Sequence, residues 1–380
     1  MSRRRIITIL GILLALLLLA ALAAGPIKRA FFKPTASTIA PGAPGRASDD
    51  TIALAADNLS VPWGVAFLPG GDLLVTERSG TLRRIGSDKQ THTIQGVTHI
   101  GEGGLMGLAL DPKFAENNQL YMYMTTRTGD ALTNRIERYV YRDGTLSGRQ
   151  VILQNIPGER NHDGGRLAFG PDGYLYVTTG DAGREELAQD RTSLAGKILR
   201  LTTDGAPAPG NPFGNAVYSY GHRNPQGLAW DDKGRLWSTE HGPSGSGSGF
   251  DELNLITSGS NYGWPEVQGD ETRSGMTPPV AHSGAEETWA PGGLAYADGV
   301  LYLAGLRGQT LYAAVLTGDD GDKAGVPLKA YYAGQYGRLR TTAVHGGNLY
   351  LTTSNTDGRG EPKDGDDRIL RIPLQLLRAQ

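Results

Sequence analysis

The stretch RLAFGPDGYLYVTTGD, residues 166–181, decides the fold, because its pattern recurs along the chain. It reads as a short apolar strand, a turn containing Gly, Pro and Asp, and a second strand rich in β-forming residues. This order is typical of a β-hairpin. Six similar copies begin at Gly64, Gly107, Arg166, Gly227, Gly293 and Thr341. Their starts lie 43 to 66 residues apart, which leaves room for two further strands in each repeat.

Repeats of this length, without helical periodicity between them, favour a β-propeller, in which each sheet packs against its neighbours. The sequence therefore predicts an all-β, six-bladed β-propeller with four-stranded antiparallel blades over residues 51–376. We expect the ring to close by pairing a strand near residues 51–55 with the last blade, which ends at residues 368–374. The competing interpretation is a set of unrelated hairpins in a β-sandwich. A propeller supports enzymes and binding platforms alike, so the function depends on its loops.

The amino-terminal segment predicts export. Residues 1–24 begin with three arginines and continue as an apolar run from Ile6 to Ala24, ahead of a small-residue cleavage pattern. The run is long enough to span a bilayer, so a cleaved signal peptide and a retained membrane anchor both stay open. Residues 25–50 are rich in Pro, Ala, Gly and Ser and read as a flexible linker. The propeller is expected to be periplasmic or extracellular in either case.

Charge and cysteine content exclude some binding partners and some kinds of metal site. Residues 1–33 hold six basic and no acidic residues, and the rest of the chain holds 31 basic and 39 acidic residues, a net charge of −8. Nucleic acid is therefore not an expected partner, because its binding requires basic faces. The chain has no cysteine, which excludes disulfides and thiolate metal sites.

Polar clusters lie at the edges of the repeats. They are GEGG at 101–104, NHDGG at 161–165, GD at 180–181, GHRNPQG at 221–227, EHGP at 240–243, LRG at 306–308 and RLR at 338–340. Clusters that converge from the blades around one axis predict a cofactor site assembled from loops. The alternative is a set of unrelated surface turns.

Four segments together resemble the soluble sugar dehydrogenases that depend on pyrroloquinoline quinone (PQQ), of the glucose and aldose sugar dehydrogenase type. They are RLAFGPDGYLYVTTGD, YSYGHRNPQGLAW, STEHGP and DELNLITSGSNYGWPEV. The resemblance implies a six-bladed propeller that oxidises the C1 hydroxyl of aldose sugars to lactones and passes electrons to an external acceptor. Its cofactors would be PQQ and calcium. The long insertions that support dimerisation in glucose-oxidising members are missing, so the aldose sugar dehydrogenase type is nearer and a monomer is expected.

The resemblance assigns the catalytic residues. His162 matches the general base that takes the sugar hydroxyl proton while hydride moves to the quinone. An imidazole suits this role because its ordinary pKa, about 6.5, leaves it able to accept a proton near neutral pH. Asp181 matches the carboxylate that orients this ring, and Arg223 and Asn224 match residues that contact the quinone oxygen, where negative charge builds.

The resemblance also assigns cofactor contacts. Because PQQ carries three carboxylates, cations are expected around it, and Arg307, Arg338 and Arg340 match the positions where the family places them. Glu102 stands where the family often has Gln. A carboxylate there could accept sugar hydroxyl hydrogen bonds but would also repel the carboxylates of PQQ, so its role stays open.

Calcium is implied at two places. The backbone carbonyls of Gly242 and Pro243 match those that hold the ion at PQQ, and calcium accepts such carbonyl ligands. Glu252, with the backbone oxygen of Tyr262, matches a second, structural calcium site. An ordinary strand and turn are the alternative for this second site.

Two other functions compete with the dehydrogenase. A lactonase-type propeller hydrolase would hold a metal in the channel through several Glu, Asp or Asn side chains. A non-enzymatic binding platform would need no such group. The positions expected to face the channel are rich in His and Arg, which suits an anionic organic cofactor better than the metal of a hydrolase.

Overall fold

A computed structural model of the chain describes residues 39–42, 52–243, 249–316 and 326–377. These residues form six sheets of four antiparallel strands each, which confirms the predicted six-bladed β-propeller. The predicted signal or anchor, residues 1–24, and most of the predicted linker lie outside this part of the chain. Within the described ranges, no helix is long and apolar enough to cross a membrane.

Blades 1 to 5 each use four consecutive strands, whereas blade 6 combines three late strands with the first strand. Blades 1 to 3 are formed by β2 (Pro62–Phe67), β3 (Leu73–Glu77), β4 (Thr81–Ile85) and β5 (Gln90–Thr93); β6 (Leu105–Leu110), β7 (Gln119–Thr128), β8 (Ala131–Arg142) and β9 (Thr145–Pro157); and β10 (Leu167–Phe169), β11 (Leu175–Thr179), β12 (Lys197–Leu201) and β13 (Val217–Tyr220). Blades 4 to 6 are formed by β14 (Pro225–Trp230), β15 (Leu236–Glu240), β16 (Glu252–Ile256) and β17 (Ala281–His282); β18 (Pro291–Ala297), β19 (Val300–Gly305), β20 (Leu311–Val315) and β21 (Leu328–Tyr331); and β22 (Leu339–His345), β23 (Asn348–Thr353), β24 (Ile369–Pro373) and β1 (Ala53–Ala56).

Helical structure in the described part is limited to short turns. They are α1 (Phe114–Asn117), between β6 and β7, and two 3₁₀ turns at Glu185–Ala188 and Leu374–Leu376. The six sequence repeats are the first two strands of the six blades. In the copy that decides the fold, Leu167 lies opposite Val177 and Phe169 opposite Leu175, and the Gly-Pro-Asp-Gly segment forms the turn between them.

The second strands of blades 1, 3 and 4 are buried along their whole length. Every residue of β3, β11 and β15 is buried, because each sheet is covered by a neighbouring blade on both faces. Between blades 2 and 3, the buried rings of Tyr121 and Tyr123 pack in one cluster with Val177 and Leu199. Apolar contact between neighbouring blades, repeated around the ring, therefore holds the propeller together.

One arginine crosses the centre of the ring. The Arg166 guanidinium stacks over the Trp63 ring of blade 1 at 4.2 Å. Its Nε donates to the Gln226 carbonyl of blade 4 at 2.7 Å, and its Nη2 to Thr341 Oγ1 of blade 6 at 3.3 Å. Arg166 directly precedes β10, the first strand of blade 3, so this side chain joins four blades across the channel.

The ring closes as predicted, through antiparallel pairing of β1 with β24, in which Ala53 lies opposite Arg371. Asp367, which precedes β24, reinforces this closure. Its backbone exchanges two hydrogen bonds of 3.0 Å with Leu59, and its fully buried carboxylate accepts the N–H groups of Val61 and Asn355 at 3.2 and 2.5 Å. One side chain thus ties the last blade to the segment that leads into the first.

Asp367→Ala should lower the free energy of unfolding by about 3 kcal/mol or more, because it leaves buried backbone N–H groups without an acceptor. Urea denaturation followed by tryptophan fluorescence measures this change. Asp130→Ala, at an exposed hairpin tip, is the matched control. A loss no larger than that of the control would mean that Asp367 does not stabilise the closure.

Part of the predicted linker contacts the propeller. Pro41 forms a parallel bridge with Ala330 on β21, the outermost strand of blade 5. The Gly42 N–H donates to the Ala330 carbonyl at 2.8 Å, and the Ala330 N–H donates to the Ala40 carbonyl at 3.1 Å. Residues 39–42 therefore extend the sheet of blade 5, a contact that composition alone did not predict.

Candidate active site

The order of strands explains why the polar clusters meet. In each blade the innermost strand runs away from one end of the channel, and the second strand returns to it. Residues just before the first strand and just after the second therefore lie at the same end. The predicted clusters occupy these positions, for example 161–165 before β10 and 180–181 after β11.

A cavity of about 510 Å³ opens at this end of the channel. It is lined by Gly101, Glu102, Arg160, Asn161, His162, Arg223, His241, Gly242, Pro243, Asp251, Thr288, Ala290, Leu306, Arg307, Arg338 and Arg359. Seven of the twelve predicted site residues are among them: Glu102, His162, Arg223, Gly242, Pro243, Arg307 and Arg338. The other five, Asp181, Asn224, Arg340, Glu252 and Tyr262, are not among the lining residues.

His162 and Asp181 form a pair at the cavity wall. His162 Nδ1 lies 2.8 Å from Asp181 Oδ1, which also accepts the Gly183 N–H at 2.8 Å. Trp264 Nε1 donates to Asp181 Oδ2 at 2.9 Å. Since an ionised carboxylate only accepts, Nδ1 carries the proton, and the neutral ring is left with Nε2 as its acceptor. This is the tautomer that a general base requires.

The Asp181 carboxylate is held in its ionised form. Burial opposes ionisation, but the hydrogen bond and charge of His162 and the Gly183 N–H outweigh it, so the pKa of Asp181 lies below its usual range. The carboxylate is almost fully buried, whereas 13% of the His162 side chain is exposed. His162 therefore faces the cavity while its partner Asp181 is shielded from solvent.

The backbone of the pair requires a close approach. His162 has φ 62°, a left-handed conformation that is uncommon outside glycine. Its carbonyl accepts the Ala182 N–H at 3.1 Å and lies directly against Gly180, where any side chain would collide with it. The glycine of the Gly-Asp motif is therefore what allows the His162 loop to lie next to Asp181.

Arg223 and Asn224 reach the site from blade 4. The Arg223 guanidinium lies 5.2 Å from the Trp264 ring, and its backbone N–H donates to the Glu240 carboxylate. Asn224 Oδ1 accepts the Gly164 N–H at 3.0 Å, which ties blade 4 to the loop of His162. The Nδ2 group of Asn224 is buried and has no hydrogen-bond partner among the described residues.

The predicted arginines of blade 6 separate into two layers. Arg338 lines the cavity, and its Nη2 lies 2.9 Å from Asp357 Oδ2. Arg340 is buried behind it, with Nη2 at 3.3 Å from the same oxygen and Nε donating to Ser354 at 2.9 Å. Arg340 is therefore placed to support the cavity wall, while Arg338 and Arg307 face the cavity.

Several residues of the site were not predicted, and four of them make contacts that shape it. Arg359 pairs with Glu102 at 2.5 Å, and Trp264 holds Asp181. Asp251 accepts the N–H groups of Gly242, Trp289 and Ala290 and so fixes the cavity wall. His241 belongs to the EHGP cluster but had no role. The sequence did hold a signal for Arg359. The segment Asp-Gly-Arg at 357–359, after β23, resembles Asp-Ala-Gly-Arg at 181–184, which follows β11 and contains the predicted Asp181.

The cavity is suited to an anionic ligand. Five arginines line it, against the carboxylates of Glu102 and Asp251. His241 Nε2 is buried without a partner among the described residues, and burial lowers the pKa of this imidazole to about 3, so the ring is neutral. A buried, unpaired polar atom at the wall of a cation-lined cavity fits a polar, negatively charged cofactor.

The carbonyl ligands predicted for a first calcium fit the cavity. Gly242 and Pro243 line it, and Asp251 fixes Gly242 through the Gly242 N–H at 2.9 Å. Among the described residues, no group of three or more His, Asp and Glu side chains could hold a metal ion. An ion at this place would therefore depend on backbone carbonyls and on oxygens of the cofactor itself.

The second predicted calcium site also has a suitable environment. Glu252 lies directly opposite Glu240 in the pairing of β15 and β16. Burial and the charge of Glu240 raise the pKa of Glu252 well above its usual range, and a cation between the two carboxylates would favour the ionised form. Tyr262 packs close by, with its ring stacked on His222 at 4.8 Å, and His222 in turn bonds to Glu240 at 2.8 Å.

Asp163, to which no catalytic role was assigned, is buried behind His162. Its Oδ1 accepts Asn134 Nδ2 at 2.8 Å and the Glu159 N–H at 3.1 Å, while Oδ2 is buried without a partner among the described residues. Burial raises the pKa of this carboxyl to about 7, against the opposing effect of the two hydrogen bonds. The folded protein thus keeps a proton that the unfolded chain releases near pH 3.8.

Asp163 should therefore make stability depend on pH. Its contribution is fully present below about pH 4 and is lost as the pH rises through about 7. Relative to Asp163→Asn, which cannot ionise, the wild type should lose about 4 kcal/mol of unfolding free energy between pH 4 and 8. Urea denaturation of both proteins across this range measures the difference, and a difference that does not change with pH would contradict it.

This six-bladed propeller combines a His–Asp pair with five arginines at one channel mouth, a distribution of charge suited to an anionic cofactor. Residues 59–371 match the Glucose / Sorbosone dehydrogenase family, and the chain therefore belongs to this family.

Individual relatives agree with this assignment. The structure of the PQQ-bound aldose sugar dehydrogenase from Streptomyces coelicolor is 46% identical, with a TM-score of 0.79, covering 85% of this chain and 97% of that one. Quinoprotein glucose dehydrogenase B of Acinetobacter calcoaceticus is 35% identical over 57% of this chain and 53% of its own length. Aldose sugar dehydrogenase YliI of Escherichia coli is 34% identical over 59% and 64%, respectively. The match thus spans between half and two thirds of these two curated relatives.

Proposed function

We propose that the protein is a PQQ- and calcium-dependent dehydrogenase that oxidises the C1 hydroxyl of aldose sugars to lactones and passes the electrons to an external acceptor. The observation that carries this proposal is the His162–Asp181 pair at the wall of a cavity lined by five arginines. A hydrolase or binding platform has no need to combine a general base with so many cations.

PQQ fits the charge and the polar atoms of the cavity. Arg307 and Arg338 would meet its carboxylates, with Arg340 behind the wall. Asn224 Nδ2 and His241 Nε2 are buried polar atoms that a bound cofactor would satisfy. Calcium would be held by the carbonyls of Gly242 and Pro243 together with the cofactor, and a second ion by Glu252 with the Tyr262 carbonyl.

When bound, PQQ supplies the two-electron acceptor that takes hydride from the sugar. The chain supplies the proton acceptor: His162 Nε2 is free to take the C1 hydroxyl proton, since Nδ1 is committed to Asp181. The ionised Asp181 then favours the imidazolium that forms. Because Trp264 and Gly183 also donate to Asp181, the carboxylate is fixed, and its bond to Nδ1 keeps the His162 ring in one orientation.

Arg223 would stabilise the charge that develops on the quinone oxygen. Its guanidinium is buried and lies over the Trp264 ring, so little reorganisation is needed when negative charge appears. Trp264 also donates to Asp181, so one side chain helps to position both Arg223 and the His162–Asp181 pair.

Reconstitution tests the proposed function. Purified apoprotein that receives PQQ and Ca²⁺ should reduce a redox dye in the presence of an aldose, and a panel of aldoses would identify the preferred sugar. Omission of either PQQ or Ca²⁺ should abolish dye reduction. No PQQ binding, together with no activity on any aldose, would refute the proposal; lactone hydrolysis without PQQ would favour a lactonase-type hydrolase instead.

The proposal extends to the setting of the enzyme. We expect a monomer that works outside the cytoplasmic membrane, with residues 1–24 either removed as a signal peptide or retained as an anchor. Fractionation of expressing cells and mass determination of the mature chain would distinguish the two fates.

A further inference from the structure

Glu102 occupies the cavity wall in an arrangement that differs from a substrate contact. Its Oε1 pairs with Arg359 Nη1 at 2.5 Å, and its Oε2 accepts the backbone N–H of His162 at 3.3 Å. Both carboxylate oxygens thus have a protein partner. Because both oxygens are bonded within the protein, Glu102 is better placed to hold these two partners than to contact a substrate.

The first neighbour is the loop of the proposed base. The Glu102 N–H also donates to the Arg160 carbonyl at 2.7 Å, so the 101–104 loop bonds to the 159–162 loop twice. Gly101, at φ 56°, lies against the same carbonyl, where a side chain would not fit. Because His162 holds an uncommon left-handed conformation, these bonds support it where strain is concentrated.

The second neighbour comes from another blade. Arg359 follows β23 in blade 6, and its backbone N–H donates to Asp357, the residue that pairs with Arg338 and Arg340. The Glu102–Arg359 pair therefore connects the loop before blade 2 with blade 6, past blade 1. It links the general base to the arginines on the other side of the cavity.

The pair also explains how a carboxylate can stand in a cavity suited to an anionic cofactor. A lone carboxylate in a cavity for a polyanion would repel its ligand, and a lone arginine would add a further cation. Together they contribute no net charge to the cavity while they hold two loops.

We propose that Glu102 and Arg359 form a neutral clamp, in which Glu102 is a positioning residue for His162 and Arg359 is the counter-ion that makes an acid compatible with an anionic cofactor. The inference rests on the proposed function for its cofactor, and on the contacts above for its geometry. It assigns Arg359 a role in the site and replaces direct cofactor contact as the role of Glu102.

Single and double substitutions test the clamp through PQQ affinity, measured by titration of apoprotein with PQQ at constant Ca²⁺. Arg359→Gln leaves an unneutralised carboxylate at the cavity, so PQQ should bind about tenfold more weakly. Glu102→Gln removes a negative charge from the cavity and keeps Arg359, so PQQ should bind as tightly as in the wild type or up to about tenfold more tightly. The double variant should return to within about threefold of the wild type, because neutral partners again face each other.

Two matched controls change the same charges elsewhere. Arg184→Gln removes the exposed arginine that follows the third hairpin, and Glu186→Gln removes an exposed acid in the same loop. Both should leave PQQ affinity unchanged. Single variants that shift the affinity in the same direction, or a double variant that binds PQQ as weakly as Arg359→Gln alone, would overturn the clamp.

A cofactor-free measurement separates this inference from the proposed function. In apoprotein, Glu102→Gln should speed amide hydrogen exchange in the 159–164 segment, since the bond to the His162 N–H is weakened, while the Glu186→Gln control should not. If the wild type fails to bind PQQ, the proposed function fails, and faster exchange would still support the positioning role. Unchanged exchange would remove that role.

Discussion

His162→Ala should lower turnover of the PQQ-reconstituted enzyme by about 10² to 10⁴, because a positioned general base typically contributes that much. In the proposed mechanism, Nε2 of His162 accepts the sugar proton, since Nδ1 is bonded to Asp181. PQQ affinity should change little, since the arginines that meet the cofactor are untouched. Steady-state dye reduction and a PQQ titration of the same preparation measure the two quantities.

Two further variants make this result interpretable. His162→Asn retains a residue type that tolerates the left-handed backbone, so an equal loss would exclude a backbone effect. His345→Ala removes an exposed histidine of the β22–β23 hairpin and should leave turnover unchanged. If the alanine variant of His162 retained wild-type turnover, another group would have to be the base.

Asp181→Asn should lower turnover by about 10² to 10⁴ as well, although it changes one atom. Asp181 receives hydrogen bonds from His162 and Gly183 on Oδ1 and from Trp264 on Oδ2. An asparagine has one acceptor oxygen, so its amide nitrogen must face either the Trp264 N–H or the imidazole. The second arrangement forces the ring into the wrong tautomer, which in other enzymes costs about this much.

The double variant His162→Ala with Asp181→Asn should be no slower than His162→Ala alone, because the carboxylate acts through the ring. Asp190→Asn, an exposed acid in the loop after Asp181, is the control and should retain full turnover. Additive losses in the double variant would mean that Asp181 has a separate function in the reaction.

The repeat made the fold predictable because hairpin signals are local. Strand, turn and strand lie within about sixteen residues, so each of the six copies carried its own evidence, and their spacing gave the remaining two strands. The same order placed His162 and Asp181 at the two ends of one hairpin, and the structure brings them to 2.8 Å.

Contacts made by irregular segments were not predictable in this way. Trp264 reaches Asp181 across 83 residues and Arg359 reaches Glu102 across 257, and no periodic pattern links either pair. The two arginines at 338 and 340 look equivalent in sequence. Only the packing around Asp357 shows that one faces the cavity and the other lies behind it.

Closure by β1 also sets the order in which the ring can be completed. Ala53 pairs with Arg371, so the first strand to be synthesised must wait for the last one. Until then, blades 1 and 5 each lack a neighbour on one side, and their apolar faces stay open to water. Pairing across so many residues is slow, because the loop to be closed spans nearly the whole domain. The time between synthesis of the two strands is therefore the period in which this protein is most exposed to aggregation, and chaperones that cover apolar faces would be needed most during it.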